Sequence, residues 1–89
     1  MVYINSSGKI YLNKNFQFHR EDGPAVEHAD GGREWWIDGK LHREDGPAVI
    51  KESVTSYWNK GKLNRINGPA VIYANGAEEF WENGACLSQ

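Results

Sequence analysis

Histidine and carboxylate residues lie together in two short segments of the chain. Residues 19–22 and residues 42–45 both read His-Arg-Glu-Asp. An imidazole beside carboxylates could bind a metal ion or act as an acid–base pair. The third copy, 64–67, reads Asn-Arg-Ile-Asn and keeps only the arginine. A site built from neighbouring copies would lose half of its ligands there, so we predict a structural role for these segments.

In that structural role, the arginine of each copy is expected to tie successive loops together. Its partners would be carbonyl oxygens or neighbouring carboxylates. These arginines are Arg20, Arg43 and Arg65. His28 stands alone in its unit and is expected to be an ordinary boundary residue. Cys86 occupies the repeat position of Leu41 and Leu63, so we expect it to be a small buried hydrophobe.

No other pattern indicates catalysis. The chain contains no Cys-x-x-Cys pair, no glycine-rich phosphate loop and no plausible Ser/His/Asp constellation. We therefore expect no enzyme activity, no cofactor and no metal site.

An internal repeat organises the whole chain. The segment 18–26 returns at 41–49 and, more loosely, at 63–71, so the spacings are 23 and 22 residues. We predict one repeat domain over residues 1–89. It consists of a partial unit 1–17, three units 18–40, 41–62 and 63–85, and a truncated unit 86–89.

Each unit has the pattern of a β-hairpin. Gly-Pro suits the start of a strand, and glycine turns such as 30–32 and 75–76 separate two β-like runs. The residue missing from the middle unit falls near Ser53, at its hairpin turn. No sustained helical period occurs. The prediction is an all-β fold of stacked antiparallel hairpins, forming an elongated, mostly single sheet of about eight short strands.

An aromatic doublet ends each unit, and strand alternation places its two rings on opposite faces. One predicted ladder is Trp36, Trp58 and Trp81, with Tyr11 as its extension. The other is Trp35, Tyr57 and Phe80. One ladder would pack with Val26, Val49 and Val71 in the core. The second would be covered by inter-unit loops or left partly exposed.

The segment Gly-Lys-Leu-His-Arg-Glu-Asp-Gly-Pro-Ala-Val-Ile, at 39–50, is followed by a turn and an aromatic doublet. This pattern resembles the bacterial and phage variant of the MORN repeat, and the resemblance covers residues 16–85. It implies a scaffolding or binding element. Relatives of this type are often described as antitoxin-like, and small phage proteins that block host machinery can be built this way.

Composition narrows the class of function further. The net charge of −2 is too small to indicate a nucleic-acid-binding surface, and no apolar run is long enough to span a membrane. The single cysteine excludes an internal disulfide, and the N-terminal residues have no secretory signal pattern. We expect a cytoplasmic protein.

Positions that vary between units are the better functional candidates, because the fold itself demands the repeated ones. We predict a small non-catalytic module that binds and blocks another protein, such as an inhibitor of a host defence system or an antitoxin-like protein. A self-assembling structural protein, and nucleic-acid or ligand binding through an exposed aromatic ladder, are the alternatives. The candidate protein-binding residues are Trp35, Tyr57, Phe80, Glu78, Glu79, Glu82, Lys51 and Lys60.

Overall fold

Short β-strands make up the regular structure of the protein. The computed structural model describes residues 1–87, which contain fourteen strands and no helix. In chain order the strands are β1 Val2–Asn5, β2 Gly8–Tyr11, β3 Val26–His28, β4 Arg33–Glu34, β5 Trp36–Ile37, β6 Lys40–Leu41, β7 Val49–Ile50, β8 Val54–Ser56, β9 Trp58–Asn59, β10 Lys62–Leu63, β11 Val71–Tyr73, β12 Glu78–Glu79, β13 Trp81–Glu82 and β14 Ala85–Cys86.

Eight of these strands form one antiparallel sheet in the order β1-β2-β3-β4-β7-β8-β11-β12. Each unit contributes two strands, which lie beside those of the neighbouring unit. The sheet therefore grows along one direction, and the molecule measures 40 × 25 × 18 Å. The predicted all-β class and the elongated antiparallel sheet of eight strands are confirmed.

The other six strands form three two-stranded ribbons, β5-β6, β9-β10 and β13-β14. Each ribbon begins at the second residue of an aromatic doublet, just after the second sheet strand of its unit. Backbone hydrogen bonds join neighbouring ribbons: Gly61 N–H donates to Leu41 O over 2.8 Å, and Arg43 N–H donates to Trp58 O over 3.2 Å. The ribbons therefore follow one another in the same order as the units of the sheet. The prediction of a mostly single sheet did not include these ribbons.

The turns follow the glycine pattern. In the first ribbon turn Asp38 and Gly39 have φ values of 47° and 78°. Positive φ at both central residues is typical of a type I′ hairpin turn, whose twist matches that of the flanking strands. In the middle unit, the sheet turn closes with Lys51 N–H donating to Val54 O, whereas in the first unit His28 N–H donates to Gly32 O. The missing residue therefore shortens this turn by one, as predicted.

The core lies under the repeated Pro-Ala-Val segments. Ala25, Ala48 and Ala70 are fully buried, and Val26 and Val71 are nearly so. Val49, which we expected beside them, is half-buried. Alanine lets backbone approach closely, so the small core consists mainly of closely packed chain rather than large side chains.

The structure contains both aromatic ladders, but Tyr11 belongs to the ladder of Trp35 and Tyr57. Tyr11 O accepts a hydrogen bond from His19 N–H over 3.0 Å, as Trp35 O does from His42 N–H over 3.0 Å. Tyr11 is thus the structural equivalent of Trp35, and Leu12 is the equivalent of Trp36. The expectation that Tyr11 extends the Trp36 ladder is wrong. The loop between Tyr11 and His19 is one residue longer than the loop between Trp35 and His42. This extra residue shifts the alignment of the sequences of the units.

Candidate functional site

The arginine of each repeated loop lies over an aromatic ring of the preceding unit. The guanidinium carbon of Arg43 is 3.8 Å from the centre of the Trp35 ring. Arg20 lies 4.0 Å from the Tyr11 ring, and Arg65 lies 4.0 Å from the Tyr57 ring. Planar guanidinium groups stack favourably on aromatic faces. The loops therefore cover Trp35 and Tyr57 of the second ladder, by cation–π contact.

The hydrogen bonds of these arginines remain mostly within their own loops. Arg43 Nη1 donates to Pro47 O over 3.0 Å, and Arg43 Nε donates to Asp45 over 3.1 Å. In the first loop, Arg20 donates likewise to Asp22 over 2.9 Å, and this bond lowers the pKa of the Asp22 carboxyl. The expectation that hydrogen bonds from arginine tie successive loops is therefore wrong. The link between units is made by the ring contact instead.

The histidines of the loops accept hydrogen bonds from backbone N–H groups of the ribbon turns. His19 Nδ1 accepts a hydrogen bond from Asp38 N–H over 2.9 Å, and His42 Nδ1 accepts one from Lys60 N–H over 3.0 Å. In the third unit Asn64 Oδ1 accepts the equivalent bond from Asn83 N–H over 2.9 Å. The change from histidine to asparagine therefore conserves the acceptor. From the sequence pattern, Asn64 looked like the loss of a functional histidine, but it keeps the same hydrogen bond.

The Trp36 ladder is fixed by polar partners two residues earlier in the chain. Trp36 Nε1 donates to Glu34 over 2.9 Å, Trp58 Nε1 donates to Ser56 over 2.8 Å, and Trp81 Nε1 donates to Glu79 over 3.0 Å. These contacts confirm the alternation of faces, since residues i and i+2 lie on the same side of a strand.

Glu34 is the most enclosed carboxylate of this ladder. Its side chain is 14 % exposed and lies 2.8 Å from His28 Nε2 and 3.5 Å from Lys51 Nζ. Burial alone would raise the pKa of Glu34, but the hydrogen bonds from His28 and Trp36, with the charge of Lys51, hold that pKa below its ordinary value. His28, expected to be an ordinary boundary residue, is thus part of a polar cluster.

The structure separates the candidate binding residues into distinct environments. Trp35 and Tyr57 are half-buried beneath arginines, and Glu79 is half-buried, where it accepts hydrogen bonds from Trp81 and from the Tyr73 hydroxyl. The Tyr73 bond raises the pKa of that phenol.

The two candidate lysines do not share a patch. Lys51 follows the first strand of the middle unit and pairs with Glu34, whereas Lys60 is exposed in the ribbon turn, at the far end of the strand path 54–59.

Three candidates remain together on one exposed face. Glu78, Phe80 and Glu82 are exposed, and Phe80 has 39 % of its surface accessible. Because Glu79 and Trp81 share one side of this strand path, Glu78, Phe80 and Glu82 share the other. We call these three residues the C-terminal stripe. The corresponding positions of the middle unit are Thr55, Tyr57 and Asn59, which carry no charge.

Several exposed apolar residues were missed by the sequence analysis. Ile66 is 77 % exposed at the loop position that carries glutamate in the first two units, and Phe16 is 69 % exposed with a φ of 61°. Comparing Ile66 with its repeat equivalents could have revealed it.

Cys86 is exposed, so its expected burial is wrong. Leu41 and Leu63 differ because a following ribbon lies against each of them.

Searches among protein families, curated proteins and solved structures found no match to this chain. The resemblance to MORN-like repeats thus stays a prediction. Within residues 1–87, no group of three or more metal-ligating side chains is arranged around a common point. Over the same residues, no helix is long and apolar enough to cross a membrane.

Proposed function

We propose that the protein is a non-catalytic binding module that covers a basic surface of another protein. The C-terminal stripe carries this proposal, because it places an exposed aromatic ring between two exposed carboxylates. Aromatic anchors surrounded by complementary charge are typical of the residues that dominate protein interfaces.

The chemistry of the stripe favours an arginine or lysine of the partner. A cation is attracted both to the face of a ring and to the flanking carboxylates. At Tyr11, Trp35 and Tyr57, the equivalent rings hold a guanidinium at 3.8–4.0 Å, so this ladder already uses that mode of contact.

The architecture also suits binding by occlusion. The stripe lies on strands that are hydrogen-bonded into the repeat array, so little conformational entropy would be lost on association. An inhibitor of a host defence protein or an antitoxin-like protein would act in this way in the cytoplasm, by blocking a partner's working surface.

The test compares two double variants that remove the same charge from different places. A partner captured from a lysate is first identified and purified, and its affinity is then measured by titration calorimetry. Glu78→Gln with Glu82→Gln is expected to weaken binding about tenfold or more, and added salt should weaken the wild-type complex.

The matched control is Glu21→Gln with Glu44→Gln, whose side chains are 82 % and 89 % exposed in the loops. We expect this control to change the affinity less than about threefold, because rim charges far from an anchor contribute little. Equal losses in both double variants would refute the stripe as the site. A partner released by nuclease treatment would favour the nucleic-acid alternative.

A further inference from the structure

The first strand of the sheet presents an edge without charged side chains. β1 is the outermost strand at one end of the sheet, and among the described residues 1–87 it pairs with β2 alone. Its residues Val2, Tyr3 and Ile4 are 49 %, 48 % and 68 % exposed. No residue from Met1 to Ser7 carries a charged side chain. Proteins usually protect long edge strands with charge, proline or a covering element.

The backbone groups that face outward on β1 follow from its pairing with β2. Met1 and Leu12 exchange two hydrogen bonds, with Leu12 N–H donating over 2.7 Å and the Met1 ammonium group donating over 2.8 Å. Hydrogen-bonded and non-hydrogen-bonded pairs alternate along an antiparallel ladder. The N–H and C=O groups of Val2 and Ile4 therefore point away from the sheet.

The opposite edge of the sheet differs from β1. It is formed by β12, which has only two residues, Glu78 and Glu79. Two β12 edges would oppose carboxylates to carboxylates, which is unfavourable. A β1 edge against a β12 edge would leave free edges at both ends and form open chains. Only a β1 edge against a second β1 edge gives a closed pair with no charged side chain in the contact.

We propose that two copies of this chain associate through antiparallel pairing of their β1 strands. Val2 of one copy lies opposite Ile4 of the second copy, and each such pair exchanges two backbone hydrogen bonds. The two-fold axis passes between the two Tyr3 residues. The aliphatic side chains meet on one face and the tyrosines on the other, and the two sheets become one of sixteen strands.

This register satisfies every outward backbone group of Val2 and Ile4. The strand has four residues, so the interface is smaller than that of a standard complex. We therefore expect a reversible dimer with a dissociation constant on the order of 10–100 µM. The inference does not depend on the C-terminal stripe, which lies at the opposite end of the sheet.

The first experiment is sedimentation velocity of the full chain over a range of concentrations. The wild type should pass from the 10.1 kDa monomer to a discrete dimer. Ile4→Lys should weaken dimerisation about tenfold or more, because an ammonium group would be placed in the apolar contact. Ile66→Lys makes the same change at another exposed isoleucine, and this control should dimerise like the wild type.

A disulfide test examines the symmetry directly, in a Cys86→Ser background. The Cα atoms of the two Tyr3 residues would be about 4.5 Å apart, so Tyr3→Cys should form a cross-linked dimer under mild oxidation. Val2→Cys should not, because the two Val2 residues would lie about 8 Å apart, beyond disulfide reach. A monomer at all concentrations, open-ended oligomers, or equal cross-linking of both variants would overturn the proposal.

Discussion

Replacing Arg43 with alanine tests whether the ring contacts between units hold the repeat together. The change removes the stack on Trp35 at 3.8 Å and the hydrogen bond to Pro47 O at 3.0 Å. It also removes the pair with Asp45, whose side chain is 88 % exposed. The Arg43 side chain itself is only 24 % exposed, so these contacts are partly shielded from water.

The magnitude can be built from these three contacts. A partly desolvated cation–π contact contributes about 0.5–1 kcal/mol, and a charged hydrogen bond to a half-buried carbonyl contributes about 1.5 kcal/mol. The exposed pair with Asp45 adds only a few tenths of a kcal/mol. We therefore expect Arg43→Ala to lower the free energy of unfolding by about 2–3 kcal/mol. For a chain of this length, the melting temperature should fall by roughly 10–20 °C.

The assay is urea unfolding followed by tryptophan fluorescence, with circular dichroism for the melting temperature. Arg43→Lys keeps the charge but loses the planar group, so we expect it to recover less than about half of the lost stability. Arg65→Ala should cost slightly less than Arg43→Ala, since Asn67 stands where Asp45 would pair. Glu44→Ala is the surface control and should change stability by less than about 0.5 kcal/mol.

A double-mutant cycle separates the ring contact from the other two. Trp35→Leu combined with Arg43→Ala should show a coupling of about 0.5–1 kcal/mol. No measurable coupling, or a loss below about 0.5 kcal/mol for Arg43→Ala alone, would refute the cation–π explanation of how successive units are joined.

Three further substitutions test other contacts by unfolding measurements. His42→Asn should be nearly neutral, because Asn64 makes the equivalent bond in the next unit, whereas His42→Ala should cost about 1 kcal/mol; equal losses would contradict the acceptor role. Phe16→Gly should stabilise the protein by about 1 kcal/mol, because a left-handed conformation strains any residue with a Cβ; a loss of stability would show that the ring makes a needed contact. The pKa of Glu34 is depressed in the folded state, so its stabilising effect is present above its ordinary value of 4.5 and is lost as the pH falls below it. Glu34→Gln should therefore remove part of the acid sensitivity of the wild type, and an unchanged pH profile would contradict this.

The repeat made the all-β fold class predictable, but not the three two-stranded ribbons. Hairpin turns, strand alternation and the lack of a helical period are local properties of the sequence. Glycine positions such as Gly39 indicate the turns directly. The ribbons were missed because nothing local distinguishes Trp36–Ile37 from a continuing sheet strand. Their separation depends on the stacking of one unit on the next, through bonds such as Gly61 N–H to Leu41 O.

The candidate site was predictable only as a set of residues. The sequence could show that Glu78 and Glu82 flank Phe80 and that the other units have no carboxylate at these positions. It could not show that Trp35 and Tyr57 lie beneath arginines of the following unit, because each contact spans eight residues and depends on the path of the loop.

The sequence by itself determined the repeat and the antiparallel hairpins. The tertiary structure decided which rings are covered, why Asn64 can replace a histidine, and that β1 leaves an edge without charged side chains at one end. The physical reason is the range of the interactions involved. Turn geometry and alternation are set within a few residues, whereas coverage and edge exposure depend on what the neighbouring unit places against each surface.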